Sequence, residues 1–148
     1  MTRCRLFHYV ANSSSSLLLL YALVPVGMAA TLPPGTSATI GPGNAPERWS
    51  LNAAELTATP GAATLDIIGQ AASTVTLDGT SVQGGNLTGL QLIESTATVA
   101  NSTIASTGGI GMSVVKPNAA ATTSSTALVS DSSISGIGRG VNVSGGST

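Results

Sequence analysis

Apolar and polar residues alternate in short runs along the second two-thirds of the chain, and the runs recur. Ser73-Thr74-Val75-Thr76-Leu77-Asp78-Gly79-Thr80-Ser81-Val82 is matched by a copy from Ser95 to Ile104 and by another from Ser125 to Ile134. Within each copy one pair of apolar residues alternates with polar ones: Val75/Leu77, Ala97/Val99, Ala127/Val129. One further apolar residue follows, Val82, Ile104 or Ile134. A second block then alternates in the same way: Leu90/Leu92, Met112/Val114, Val141/Val143. A period of two places successive side chains on opposite sides of an extended strand. Each unit therefore reads as three short strands that aim a few aliphatic residues in one direction. No 3.6-residue period accompanies them, which argues against a helical solenoid.

The first two copies start 22 residues apart and the next two 30 apart. The excess falls in Lys116-Pro117-Asn118-Ala119-Ala120-Ala121-Thr122-Thr123, an insertion rich in Pro, Ala and Thr. A degenerate earlier copy includes Ala63-Thr64-Leu65-Asp66-Ile67-Ile68. Between the first two strand pieces stands Gly79, Asn101 or Asp131, all residue types that tolerate a positive φ, so one backbone corner is expected three times. Gly89, Gly111 and Gly140 are expected to mark a second corner. A unit this small cannot bury its own apolar row, but stacked units can, with strands pairing in parallel ~4.8 Å apart. The expected fold is an all-β parallel β-helix of ~22-residue rungs. Leu77, Val99 and Val129 form one aliphatic ladder and Val82, Ile104 and Ile134 another. Thr80, Ser102 and Ser132 stand beside them, with hydroxyl hydrogen bonds expected from rung to rung.

The leading residues follow different rules. Arg3 and Arg5 precede an apolar run beginning at Leu17, and Gly27-Met28-Ala29 supplies small residues where a signal peptidase reads. Residues 1–29 are therefore expected to be a signal peptide, cut after Ala29 or, as second choice, after Ala30. The apolar run is short of the ~20 residues that a spanning helix needs. Residues 30–50 hold Pro33, Pro34, Gly35, Gly41, Pro42, Gly43 and Pro46, and are expected to be an irregular lead-in, either a cap on the first layer or a linker. Rungs are then expected over 51–148.

Composition narrows the chemistry. Charged residues are 7% of the chain, against a usual ~25%, and five Lys plus Arg make no basic patch for nucleic acid. Cys4 and His8, the only Cys and His, lie in the leader. The mature chain would thus carry no disulfide, no Cys/His zinc site and no Ser-His-Asp or Cys-His machinery of its own. Its carboxylates, Glu47, Glu55, Asp66, Asp78, Glu94 and Asp131, stand against Arg48, Lys116 and Arg139, a net charge of −3. The acids are scattered at about one per rung, and Asp78 and Glu94 are 16 apart, not one turn. Polysaccharide-cleaving or calcium sites need clustered carboxylates. We expect no catalytic, cofactor-binding or metal residue, and no enzyme. Gly136-Ile137-Gly138-Arg139-Gly140 lacks the Lys-Ser/Thr of a phosphate loop and reads as a turn. Asn86-Leu87-Thr88, Asn101-Ser102-Thr103 and Asn142-Val143-Ser144 fit the N-glycosylation pattern, which arises by chance in so Ser/Thr-rich a chain.

The repeated rungs from Thr74 to Val82 and from Gly89 to Leu92, with their two later copies, the leader and the cysteine-free mature chain resemble the passenger region of pertactin-like autotransporters. The resemblance covers about residues 50–148. It implies a right-handed parallel β-helix, exported to the cell surface, outer membrane or exterior of a Gram-negative bacterium. It implies a structural or adhesive role toward a host-surface or matrix ligand. It also implies a C-terminal β-barrel that translocates the passenger. Ser144-Gly145-Gly146-Ser147-Thr148 carries no aromatic-girdled strands of that kind, so the sequence is expected to be an N-terminal portion, incomplete at its C-terminus. The alternative expectation is the non-catalytic N-terminal part of a β-helix polysaccharide lyase or hydrolase.

Overall fold

Seventeen short strands and no helix make up the computed structural model, which describes residues 5–10, 19–24, 29–86, 88–116, 121 and 123–148. The first two strands, β1 (Arg5–Val10) and β2 (Leu19–Val24), pair antiparallel. Of the expected leader, residues 1–4, 11–18 and 25–28, with the Gly27-Met28 half of the cleavage signal, lie outside the described residues. So do Leu87, and residues 117–120 and 122 of the insertion.

From β3 onward every pairing between successive coils is parallel. The strands are β3 (Ala29–Leu32), β4 (Ser37–Ile40), β5 (Arg48–Asn52), β6 (Glu55–Ala58), β7 (Ala63–Thr64), β8 (Ile67–Gln70), β9 (Thr74–Asp78), β10 (Ser81–Gly84), β11 (Thr88–Ile93), β12 (Thr96–Ala100), β13 (Thr103–Ser106), β14 (Ile110–Val115), β15 (Thr126–Ser130), β16 (Ser133–Gly136) and β17 (Arg139–Ser144). They build three sheets, one of β15-β12-β9-β6-β4 extended by β1 and β2, one of β16-β13-β10-β7, and one of β17-β14-β11-β8-β5-β3. The chain visits the sheets in turn, so four complete three-strand coils follow a shorter first one. This is a parallel β-helix.

The register matches the repeat read from the sequence. Thr74 stands opposite Thr96 and Thr96 opposite Thr126. Val82, Ile104 and Ile134 stack, as do Leu90, Met112 and Val141. Strands of four to six residues alternate buried and exposed positions, because a period of two must send one face inward. The interior is a column of aliphatics: Leu77, Val82, Leu90, Leu92, Val99 and Ile104 are fully buried. Each such burial stabilises by about 1.5–3 kcal/mol.

Three readings need correction. First, parallel pairing begins before residue 51. Ala30 and Leu32 stand beside Trp49 and Leu51, and Ala38 and Ile40 beside Leu56 and Ala58. The prolines and glycines that suggested an irregular lead-in occupy the corner between β3 and β4 and the 41–47 loop between β4 and β5. Thr36 N–H bonds Pro33 C=O, and Asn44 closes the Gly41 turn through its N–H and side chain. The degenerate early copy that includes Ala63 to Ile68 is in register with the later ones, Thr64 beside Val82 and Ile67 beside Leu90. Its coil opens at Glu55, opposite Thr74.

Second, Gly89, Gly111 and Gly140 are not themselves a corner: each is the second residue of a strand, in β11, β14 and β17. None of them has a positive φ. They are needed because backbone approaches backbone there: a Cβ on Gly89 would lie 2.8 Å from Gly111 O. The other expected corner does use the left-handed region, with φ of 55°, 49° and 47° at Gly79, Asn101 and Asp131.

Third, the Thr80, Ser102 and Ser132 hydroxyls bond backbone amides rather than one another, whereas on the outer face Thr74 Oγ1 and Thr96 Oγ1 do meet, at 3.5 Å. Ser102 Oγ accepts the Thr80 N–H and Ser132 Oγ accepts the Ser102 N–H, each at 3.0 Å. The sequence reading missed a second ladder of the same kind. Ala54 N–H donates to Ser73 Oγ, Ser73 N–H to Ser95 Oγ, and Ser95 N–H to Ser125 Oγ. The three donated amides follow Ala53, Ala72 and Glu94, which hold positive φ with side chains that do not favour it. A buried hydroxyl satisfies the amide that the corner turns inward, where water cannot reach it. Ser73, Ser95 and Ser125 recur in register in the sequence, and that recurrence was the signal.

Candidate functional site

The acids expected to be scattered are distributed over the coils as follows. Glu55 opens β6, Asp78 closes β9, and Glu94 and Asp131 occupy left-handed corners. Asp78 Oδ1 accepts a bond from Asn101 Nδ2 at 3.0 Å, so two successive corners are tied across the stack. Asp66 neighbours neither Asp78 nor Glu94. Its Oδ1 lies 3.0 Å from Arg48 Nε, an ion pair without an aligned hydrogen bond. Among the described residues no three of His, Cys, Asp and Glu gather where they could hold a metal ion.

The densest polar chemistry sits where the first coil meets the second. Glu47 ends the loop that takes the place of a middle strand in the first coil. Its backbone carbonyl accepts the Leu65 N–H at 2.9 Å and the Thr64 hydroxyl at 2.7 Å. Its side chain is only 2% exposed, and Oε2 has no hydrogen-bond partner among the described residues. Burial pushes this carboxyl above its ordinary range. Arg48 next to it is half-exposed and turned to Asp66, and Trp49 beyond is buried with its N–H on Asp66 C=O. Glu47-Arg48-Trp49 closes the 30–50 segment that was expected to be a cap or a linker. Pairing of Trp49 with both Ala30 and Ile67 makes it an interior residue.

A shallow cleft of about 270 Å³ lies against Gly35, Thr36, Ser37, Ala53, Ala54 and Glu55 at a coil corner. It is smaller than the ~300–1,000 Å³ of usual ligand pockets. The segment from Gly136 to Gly140 runs from β16 into β17, with Gly138 N–H on Gly109 C=O, and no helix follows it.

Two surfaces stand out. The outer face of the β4-β6-β9-β12-β15 sheet carries two rows of side chains in register. One is Thr39, Thr57, Thr76 and Thr98, ending at Leu128; the other is Ser37, Glu55, Thr74, Thr96 and Thr126. Threonine suits strands in general, so the rows also serve the fold. The second surface is the last coil, where Val129, Val141 and Val143 point along the interior ladders yet are 38%, 47% and 50% exposed. Leu128 and Ile137 add outward apolar area. Unpaired strand edges with bare aliphatics template further pairing. The purified 148-residue chain is therefore expected to self-associate, and Val141→Lys with Val143→Lys to weaken this. Size-exclusion chromatography over a concentration series decides, and a wild-type monomer at every concentration would refute it.

No protein-family model, curated protein or solved structure matches this chain.

Proposed function

We propose that the chain is an exported β-helix segment of the autotransporter-passenger kind, a structural and adhesive scaffold without chemistry of its own. The observation that supports this reading best is the run of parallel coils with a nearly neutral outer face. Stacked coils give an elongated body, and rows of hydroxyl side chains ~4.8 Å apart offer repeated shallow contacts. A host-surface or matrix ligand would be met by many weak contacts rather than one pocket.

Export is the testable core of the proposal. Ala29 is the first residue of β3, and the buried Ala30 stands beside Trp49. A cut after Ala29 leaves that packed pair intact, whereas a cut after Ala30 removes one member. We expect the chain, expressed in a Gram-negative host, to reach the periplasm or medium with Ala30 as its first residue. N-terminal sequencing of the exported product reads this directly. A protein that stays in the cytoplasm and begins at Met1 would overturn the proposal.

A further inference from the structure

Among the described residues one titratable group is buried and unpartnered, and a scaffold role does not call for it. Glu47 is fixed at the junction of the first two coils by two hydrogen bonds to its own carbonyl, from Leu65 N–H and Thr64 Oγ1. Its Oε2 faces no donor among the described residues. The charged groups on the elements around this corner are Arg48 on β5 and Asp66 just before β8, and they face each other at 3.0 Å. At the same corner of the next coil, residues 85–89 carry no charge, and β3 carries none. Nothing on these elements is therefore placed to neutralise an ionised Glu47.

We propose that Glu47 is a pH-sensitive latch: protonated, it lets the 41–47 loop close the first coil, and ionised, it drives that loop outward. A carboxylic acid can be buried at modest cost, whereas an unpaired carboxylate cannot. In the open form the Glu47 backbone turns and carries the carboxylate to water. That breaks its bonds to Leu65 and Thr64 and uncovers Trp49, two residues further on. The direction follows from burial. The folded carboxyl holds its proton more tightly than the unfolded one. The stabilisation is complete at acid pH and is lost as the pH rises through the raised folded value. The coils from β9 onward contain no such group and should stay closed, so the opening is local.

The chain supplies its own reporter, because Trp49 is its only tryptophan and is buried two residues from the latch. The experiment is acrylamide quenching of Trp49 fluorescence in the full chain from acid to mildly alkaline pH, with circular dichroism recorded alongside. We expect a several-fold rise in quenching in one titration step above the ordinary glutamate range, while the β-sheet signal is unchanged. Glu47→Gln should abolish the step and keep Trp49 protected. Asp66→Asn, which breaks the Arg48 pair but leaves Glu47, should retain it. Hydrogen exchange needs no variant. The Leu65 amide should lose protection across the step, relative to the Thr103 amide, which bonds Thr80 C=O in the middle of the stack. A flat wild-type profile, a step that survives in Glu47→Gln, or one abolished by Asp66→Asn would each overturn the latch. So would loss of protection at Leu65 and Thr103 together.

Discussion

Ile104→Asp should unfold the β-helix, and Gln91→Asp, in the neighbouring sheet, should barely disturb it. Ile104 is completely buried, stacked between Val82 and Ile134 in the middle of the interior column. A carboxylate there would meet only aliphatic side chains and backbone already engaged in parallel ladders. Leaving it charged is prohibitive, so it would have to take up a proton, and a neutral acid without partners still costs several kcal/mol. The lost packing adds to this, for a total of roughly 4 kcal/mol or more, a large part of the ~5–15 kcal/mol that holds a typical domain together. Gln91 alternates with Leu90 and Leu92, is only half-buried, and stands in a row with Ile68 and Ser113. Its replacement should cost about 1 kcal/mol or less. Thermal melts followed by circular dichroism separate the two. Equal effects would mean that the inward and outward faces have been exchanged, since a shift of one residue flips every side chain.

That register was legible because the repeat is regular from Ser73 onward, where each coil carries the same alternation at the same spacing. The parallel pairing, the ladders and the corner at Gly79, Asn101 and Asp131 all followed from it. The coils before Ser73 were harder to read for a physical reason. Their strands are four residues long, as in Ser37–Ile40 and Glu55–Ala58, so alternation rests on two apolar residues at a time. Prolines at the corners then look like breakers of structure rather than its hinges. The corner at Ala53, Ala72 and Glu94 was illegible for another reason: the side chain that turns there does not favour the turn. A serine of the next coil makes the turn tolerable, its hydroxyl accepting the amide that follows the turn. Spacing can reveal that serine, but composition cannot. The Arg48–Asp66 pair was hidden likewise, since it joins residues of two coils whose alignment the sequence did not disclose. The burial of Glu47 is a tertiary fact with no local signature.

Gly111→Ala should be nearly as damaging as the charge at Ile104, although it adds a single methyl group. The effect comes from close approach alone, because the Gly111 backbone is not in the left-handed region. A Cβ at this position would lie 2.5 Å from Ser135 O, 2.7 Å from Gly140 O and 2.9 Å from Ile134 Cγ2. The first two are backbone atoms of the next coil, and a side-chain rotation cannot relieve them. Separating the coils would break the pairing of β14 with β17, from Ile110↔Arg139 through Met112↔Val141. It would also lift Ile134 off Ile104, because the same two coils are joined in the next sheet. Interiors this closely packed transmit such a shift rather than absorb it. We expect a loss of about 3 kcal/mol, the upper end of the usual cost of overpacking. Gly85→Ala is the matching control. Its added Cβ would have only the flexible end of Arg48 nearby, 3.6 Å away, and no positive φ to strain. That change should stay within about 0.5 kcal/mol. If chemical denaturation shows the two alanines to be equivalent, the coils must stand further apart at the Gly89-Gly111-Gly140 row than the interior ladders require. The glycines there would then mark a loosely packed strand start instead of a close backbone contact between coils.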